Sequence, residues 1–173
     1  MDPLGIRSLV RDVADFPAPG VRFRDVTPLL ADAAGFGAVV DALAIPFIDE
    51  CDVVAAVEAR GFIFGAPVAH RLGVGFVPIR KPGKLPHDRL SRSYALEYGE
   101  DALEIHVDAV APGARVLVVD DVLATGGTAA ASVALLESAG ASVVAVAVVI
   151  ELSGLGGRTQ LGSQRVHSLL TYE

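Results

Sequence analysis

The chain of 173 residues carries a formal net charge of -7, and 52% of its residues are hydrophobic but only 6% aromatic. This length predicts a single domain that can bury a core unaided, and the lone Cys51 excludes a disulfide scaffold or a Cys-based zinc site, as expected for a cytoplasmic protein. The net negative charge argues against general nucleic-acid binding. The longest apolar run, Val143 to Ile150, is too short to span a membrane, and the charged N-terminal residues predict no secretory signal.

Strand and helix patterns alternate along the chain, which is typical of an α/β fold with a central, mostly parallel sheet flanked by helices. In chain order we predict helices Ile6 to Val13 and Ala33 to Glu50 (kinked at Pro46), strand Val53 to Glu58, helix Ile63 to Leu72, strand Gly75 to Arg80, hairpin strands Ser93 to Tyr98 and Leu103 to Asp108, strand Val116 to Val119, helix Gly127 to Ala139, and strands Val143 to Ile150 and Val166 to Leu170. The segment FPAPGVRFRDVTPLL, residues 16–30, is too rich in Pro and Gly for regular structure. Residues 81–92 lack apolar periodicity, which predicts a long loop.

The segment VLVVDDVLATGGT, residues 116–128, joins a buried strand to a glycine-rich turn that opens a helix. The strand delivers Asp120 and Asp121 to the edge where open α/β sheets bind ligands. The turn consists of Ala124, Thr125, Gly126, Gly127 and Thr128. Its glycines let backbone amides approach an anion, its hydroxyls can donate hydrogen bonds, and the helix N-terminus favours negative charge. A phosphate cradle beside two acids predicts a ribose 5-phosphate site, because ribose hydroxyls are suitable partners for carboxylates.

Other interpretations of this segment are weaker. A magnesium-binding strand of a P-loop NTPase would need an upstream GxxxxGK[ST] motif, and the chain has none. The dinucleotide fingerprint GxGxxG is also absent. The acids could simply cap a helix while the glycines form a turn, but two adjacent acids at the end of a buried strand are costly without partners.

VLVVDDVLATGGT resembles the phosphoribosyl diphosphate (PRPP) signature of the type I phosphoribosyltransferase family. Further segments are similar to the members that act on adenine: FPAPGVRFRD at 16–25, EARGFIFG at 58–65, IRKPGKLP at 79–86, SYALEYG at 93–99, IEL at 150–152 and LLTYE at 169–173. The resemblance implies the type I phosphoribosyltransferase fold over the whole chain, residues 1–173. A small N-terminal hood would span about 1–35 and a flexible lid loop about 81–99.

The resemblance implies that basic residues at two places bind pyrophosphate. Arg60 follows a turn that contains a non-proline cis peptide in the family, and its guanidinium suits pyrophosphate oxygens. Arg80, Lys81 and Lys84 would supply cations from the lid to the departing pyrophosphate. Without the resemblance, Arg60 could be an ordinary surface arginine and the basic run a solvated surface.

Four residues are assigned to the base by the same resemblance. Glu97 in the LEYG motif would manage the proton of the purine as a general acid or base, although alone it could be an exposed surface residue. Phe23 would stack on adenine, or else fill the core. Backbone groups near Arg22 and Arg24 would bind the base edge. Arg22 stands where some relatives have an apolar residue, so its side chain could affect base preference.

The implied activity is transfer of the 5-phosphoribosyl group from PRPP to N9 of adenine, giving AMP and pyrophosphate in purine salvage. Mg²⁺ is the implied cofactor, bound mainly through PRPP and water without a set of metal ligands from the protein, and a homodimer is the implied assembly. Two alternatives stay open: a PRPP-sensing regulator, for which residues 1–16 are too short and acidic to bind DNA, and an enzyme that uses another purine. The adenine-type N-terminal segment disfavours the second.

Overall fold

The computed structural model describes residues 4–95 and 100–173. The strands are β1 Arg11–Ala14, β2 Arg22–Asp25, β3 Val53–Val57, β4 Gly75–Ile79, β5 Arg89–Ala95, β6 Glu100–His106, β7 Arg115–Leu123, β8 Ser142–Leu152 and β9 Val166–Tyr172. The helices are α1 Thr27–Ala31, α2 Ala33–Ala44, α3 Arg60–Leu72, α4 Gly127–Ser138 and α5 Gly157–Gln160, with 3₁₀ turns at Ile6–Leu9, Ile45–Phe47 and Ser153–Leu155. The helix predicted over 33–50 thus changes to a 3₁₀ turn at Pro46, because proline cannot donate a helical hydrogen bond.

The core is a five-stranded parallel sheet in the order β4-β3-β7-β8-β9. Its three central strands, β3, β7 and β8, are buried on both faces, which explains their continuous runs of Val and Ala. Along β8, Ala145, Ala147 and Val149 pack in the cluster that includes α2 and α3, whereas Val146 and Val148 pack in the cluster that includes α4. The predicted α/β fold with a central parallel sheet flanked by helices is confirmed.

The N-terminal region forms more regular structure than its sequence predicts. The predicted helix from Ile6 to Val13 is wrong beyond Leu9, because Arg11–Ala14 pairs antiparallel with Arg22–Asp25 and the two strands form a hairpin. The prediction that residues 16–30 are irregular is also wrong, since β2 lies within them and α1 begins there at Thr27. Pairing between segments some ten residues apart overrides the local helical pattern.

The region predicted as a lid, about 81–99, contains β5, which pairs antiparallel with β6 to form the predicted hairpin. The prediction of a loop over 81–92 is wrong from Arg89, where β5 begins, and within the described part of the lid region residues 81–88 form an irregular loop. The buried Glu104 of β6 holds this loop by accepting hydrogen bonds at 3.0 Å from the Gly83 amide and from Arg89 Nε. Leu85 is buried as well. Closure of the region as a lid stays a prediction.

In residues 4–95 and 100–173, no helix has the length and hydrophobicity that crossing a membrane requires.

Candidate active site

A cleft of about 460 Å³ opens at the carboxyl ends of β3 and β7, which are neighbouring parallel strands. Parallel strands bring their carboxyl ends to one edge of the sheet, so segments far apart in sequence converge there. The cleft is lined by residues 57–60, Lys81 and 120–129. The structure thus brings together the predicted ribose and phosphate residues, Asp120, Asp121 and 124–128, with two of the predicted pyrophosphate residues, Arg60 and Lys81.

The glycine-rich turn fits tightly against α5. Gly126 has φ +88° and precedes the first turn of α4, and a Cβ atom there would lie 2.7 Å from the carbonyl oxygen of Gly157. A Cβ atom on Gly157 would in turn collide with the carbonyl oxygen of Ala124. Glycine is therefore required on both sides of the contact. Sequence analysis missed Gly157, whose only signal is the glycine pair at 156–157.

The two carboxylates at the end of β7 have different surroundings. The Asp121 side chain is 6% exposed and accepts a hydrogen bond from Arg60 Nε. Asp120 Oδ1 accepts a hydrogen bond from the Asp121 amide at 2.9 Å, and burial together with the neighbouring Asp121 charge raises the pKa of Asp120 well above its ordinary value. Gly61 packs closely here, since a Cβ atom on it would lie 2.9 Å from Asp120 Oδ1. A ligand that donates hydrogen bonds or brings positive charge would offset the cost of this pair.

Glu58 organises the basic side of the cleft, and sequence analysis gave it no role. Its Oε2 accepts hydrogen bonds from Arg80 Nη2 at 2.9 Å and Nε at 3.2 Å, and its Oε1 accepts one from the Lys81 amide. Burial raises the pKa of Glu58, but these hydrogen bonds and the Arg80 charge lower it overall. The peptide bond between Glu58 and Ala59 is cis, as the resemblance implied.

Lys81 connects the β5–β6 hairpin to the glycine-rich turn. Its Nζ binds the Asp101 carboxylate and donates to the Tyr94 hydroxyl at 3.1 Å. The Tyr94 hydroxyl also donates to Asp101 Oδ2 at 3.1 Å and accepts from Thr128 Oγ1 at 3.3 Å. Burial lowers the pKa of Lys81, but Asp101 and Tyr94 raise it overall, so its ammonium group stays charged beside the cleft.

The predicted base residue Phe23 is half-buried and lies next to the cleft-lining Arg60, whose guanidinium carbon is 5.5 Å from the centre of the Phe23 ring. Phe16 packs edge-on against the same ring at 5.2 Å. Phe23 therefore connects the N-terminal hairpin with the edge of the sheet that carries Asp121.

Arg22 and Arg24 lie on the opposite face of the hairpin from Phe23, because side chains alternate along a strand. Both form ion pairs with Asp12, at 3.3 Å from Arg22 and 2.8 Å from Arg24. Arg22 is 67% exposed and Arg24 13% exposed. Backbone groups of the two arginines, by contrast, lie directly beside Phe23.

The remaining predicted residues are placed less directly. Among the described residues that line the cleft, neither Arg80 nor Lys84 is included. Arg80 binds the cleft-lining Glu58. Lys84 is exposed, and its carbonyl accepts a hydrogen bond from Arg80 Nη1 at 3.3 Å. Glu97 lies outside the described residues. Among the residues that are described, no group of three or more His, Cys, Asp or Glu side chains could hold a metal ion.

A glycine-rich turn and paired acids lie at the carboxyl edge of a parallel sheet, bordered by Arg60 and Lys81, and the comparisons with known proteins give the class of protein that has this arrangement. Residues 30–161 match the family model of the phosphoribosyl transferase domain. The chain is 57% identical to an adenine phosphoribosyltransferase of Acidothermus cellulolyticus, over 98% of this chain and 99% of the relative.

Solved structures agree with this match. The crystal structure of adenine phosphoribosyltransferase from Thermoanaerobacter pseudethanolicus is 51% identical and superposes with a TM-score of 0.94, covering 96% of this chain and 98% of that one. The Saccharomyces cerevisiae enzyme, crystallised with an imino-altritol bisphosphate and adenine, is 37% identical with a TM-score of 0.91 and covers 95% and 96% of the two chains. The chain belongs to the adenine phosphoribosyltransferase family.

Proposed function

We propose that the chain transfers the 5-phosphoribosyl group of PRPP to N9 of adenine and releases AMP and pyrophosphate, as a purine-salvage enzyme. The observation that carries this proposal is the single cleft edge at which the 124–128 turn, the two acids and two basic side chains converge. Adenine as the acceptor base is supported by the family and by the adenine in the yeast relative's structure.

The glycine-rich turn would bind the 5-phosphate. Residues 124–128 precede and open α4, so their backbone amides and the two threonine hydroxyls can converge on one anion. Asp120 and Asp121 would accept hydrogen bonds from the ribose hydroxyls and so hold the sugar in line with the attacking base. Ribose hydroxyl donors would stabilise the ionised form of Asp120, whose pKa is raised by burial and by the Asp121 charge.

Basic residues would stabilise the leaving group. Cleavage of the bond between C1 and the pyrophosphate oxygen builds positive charge on the ribose and negative charge on pyrophosphate. Arg60 and Lys81 lie at the cleft with their charges held by Asp121 and Asp101, and pyrophosphate oxygens could take the place of these carboxylates. Arg80 and Lys84 would act from further out, with Arg80 oriented by Glu58.

Magnesium would be bound chiefly through PRPP and water. The donor set fits such an ion, because Mg²⁺ prefers oxygen ligands and Asp120 and Asp121 are adjacent carboxylates. Arg60 pairs with Asp121. When bound, the ion supplies positive charge at the pyrophosphate and ribose oxygens. On the protein side, the two acids would orient its water ligands.

The base would stack on Phe23, with the backbone of β2 at its edge. The exposed Arg22 side chain pairs with Asp12 on the far face of the hairpin, which favours backbone recognition over a side-chain contact. Glu97 stays our candidate for the general acid or base. We also propose a homodimer and a cytoplasmic location, as the resemblance implies, and light scattering in solution would test the dimer.

Incubation with PRPP, Mg²⁺ and each purine in turn tests the activity. We expect AMP from adenine and loss of the reaction when the metal is chelated. Nucleotide formed from hypoxanthine or guanine in preference to adenine, or PRPP binding without turnover, would contradict the proposal. The second outcome would favour a PRPP-sensing regulator.

A further inference from the structure

The N-terminal hairpin needs support from outside itself. A two-stranded sheet is marginal alone, and β1–β2 pairs with no other strand among the described residues. Two of its three ion pairs within the described part of the chain use exposed arginines: the side chains of Arg11 and Arg22 are 63% and 67% exposed, and such pairs contribute little. The position of Phe23 beside the cleft-lining Arg60 therefore depends on what contacts the other face of β2.

That contact is an aromatic ring near the C-terminal end of the chain. Tyr172 is the last residue of β9, and its carbonyl accepts a hydrogen bond from Ser153 Oγ at 3.1 Å. The guanidinium carbon of Arg24 lies 4.2 Å from the centre of the Tyr172 ring, and that of Arg7 lies 4.3 Å from it. One ring thus joins the hairpin and the preceding 3₁₀ turn to the edge strand of the sheet.

Several features make this contact strong. Arg24 is only 13% exposed, and a cation over an aromatic face is most favourable when it is shielded from water. Asp12, directly opposite Arg24 in the hairpin register, binds the same guanidinium at 2.8 Å. Arg7 Nη2 also donates a hydrogen bond to the Thr171 carbonyl at 2.9 Å. Arg7 therefore contacts both the Tyr172 ring and the backbone of the preceding residue in β9.

Two consecutive residues of β2 therefore make contacts on opposite faces of the hairpin. Phe23 faces Arg60 at the cleft, and Arg24 faces Tyr172 on the other side. We propose that Tyr172 is a positioning residue for the purine: by holding Arg24 it fixes β2, so that Phe23 stands where the base must stack. This inference rests on the proposed function, in which Phe23 binds adenine.

Kinetics of Tyr172→Leu test the proposal, since leucine keeps apolar bulk but has no aromatic face. We expect the KM for adenine to rise about threefold to tenfold, while the KM for PRPP stays unchanged. Tyr172→Phe keeps the aromatic ring, so its KM for adenine should equal that of the wild-type protein. Arg24→Met should also raise the KM for adenine. The rise in the double variant should be smaller than the product of the two single rises, because both changes remove the contact between Arg24 and Tyr172.

Arg165→Met is the matched control, because Arg165 lies 4.8 Å from the centre of the Phe47 ring in a similar contact distant from the hairpin. It should leave both KM values unchanged. Equal rises in both KM values for Tyr172→Leu would overturn the inference, since the ring would then support the whole domain. If Phe23→Ala raises the KM for adenine and Tyr172→Leu does not, the inference alone fails. If Phe23→Ala itself has no effect, the proposed stacking fails too.

Discussion

The glycine-rich turn at 124–128 lines the cleft and the N-terminal hairpin lies beside the cleft-lining Arg60, but the two are built differently. The turn follows a buried strand, opens a helix and fits closely against Gly157, so its backbone has little freedom to move. The hairpin has two strands of four residues each, and long polar side chains hold it, including the contact of Arg24 with Tyr172.

This difference matches the two halves of the proposed reaction. The phosphoribosyl group is shared by PRPP and AMP, so it suits a site made of backbone and kept rigid. The base enters as free adenine and leaves as part of AMP. This exchange suits a surface element whose position depends on side-chain contacts. We therefore expect changes at the turn to affect every phosphoribosyl ligand and changes at the hairpin to affect only ligands that contain the base.

The largest kinetic effect should come from Glu97→Gln. Glutamine keeps the size and hydrogen bonding of the side chain but cannot exchange a proton, so kcat with adenine should fall about 100-fold or more. The KM for PRPP should hardly change. Steady-state kinetics with both substrates varied measure this, and a fall smaller than about 100-fold would mean that Glu97 only positions the base.

Loss of both acids should affect the phosphoribosyl half of the reaction. Asp120→Asn combined with Asp121→Asn keeps the shape of the side chains but weakens the acceptors for ribose, so kcat/KM for PRPP should fall about 100-fold. Asp52→Asn is the matched control, because Asp52 forms an exposed ion pair with Arg115 at 2.6 Å near the opposite edge of the sheet. Wild-type kcat/KM in the double variant would rule out the ribose contact.

A smaller effect should appear in stability. Folding raises the pKa of Asp120, so its neutral form stabilises the folded protein at low pH and this stability is lost as pH rises through the folded pKa. Asp120→Asn is neutral at every pH and keeps an acceptor for the Asp121 amide. We expect its Tm to exceed wild type by about 2–4 °C at neutral pH, and to match wild type below the ordinary carboxyl pKa of 3.8. Thermal unfolding without ligand across this pH range measures the difference, and a lower Tm at neutral pH would contradict it.

Sequence analysis predicted the central sheet and the turn because their signals are local. The apolar run of β7, the adjacent acids and the glycines before α4 all lie in residues 116–128, and helix and strand propensities agree with their structure. The hairpin was missed because β2 lies in a Pro-rich segment and becomes a strand only by pairing with β1. Glu58 and Gly157 were missed for a similar reason, since their partners are distant in sequence.

The division between turn and hairpin can be tested by titrating AMP and ribose 5-phosphate into three variants by calorimetry. The methyl group added by Gly157→Ala would collide with the Ala124 carbonyl of the turn, so this variant should lower the affinity for both ligands by the same factor, about tenfold. Gly154→Ala is the control, because nothing lies within 4 Å of the added Cβ atom, and it should lower neither affinity. Phe23→Ala should weaken AMP about tenfold and leave ribose 5-phosphate unchanged. Equal weakening of both ligands by Phe23→Ala, or unchanged ribose 5-phosphate binding in Gly157→Ala, would contradict the account.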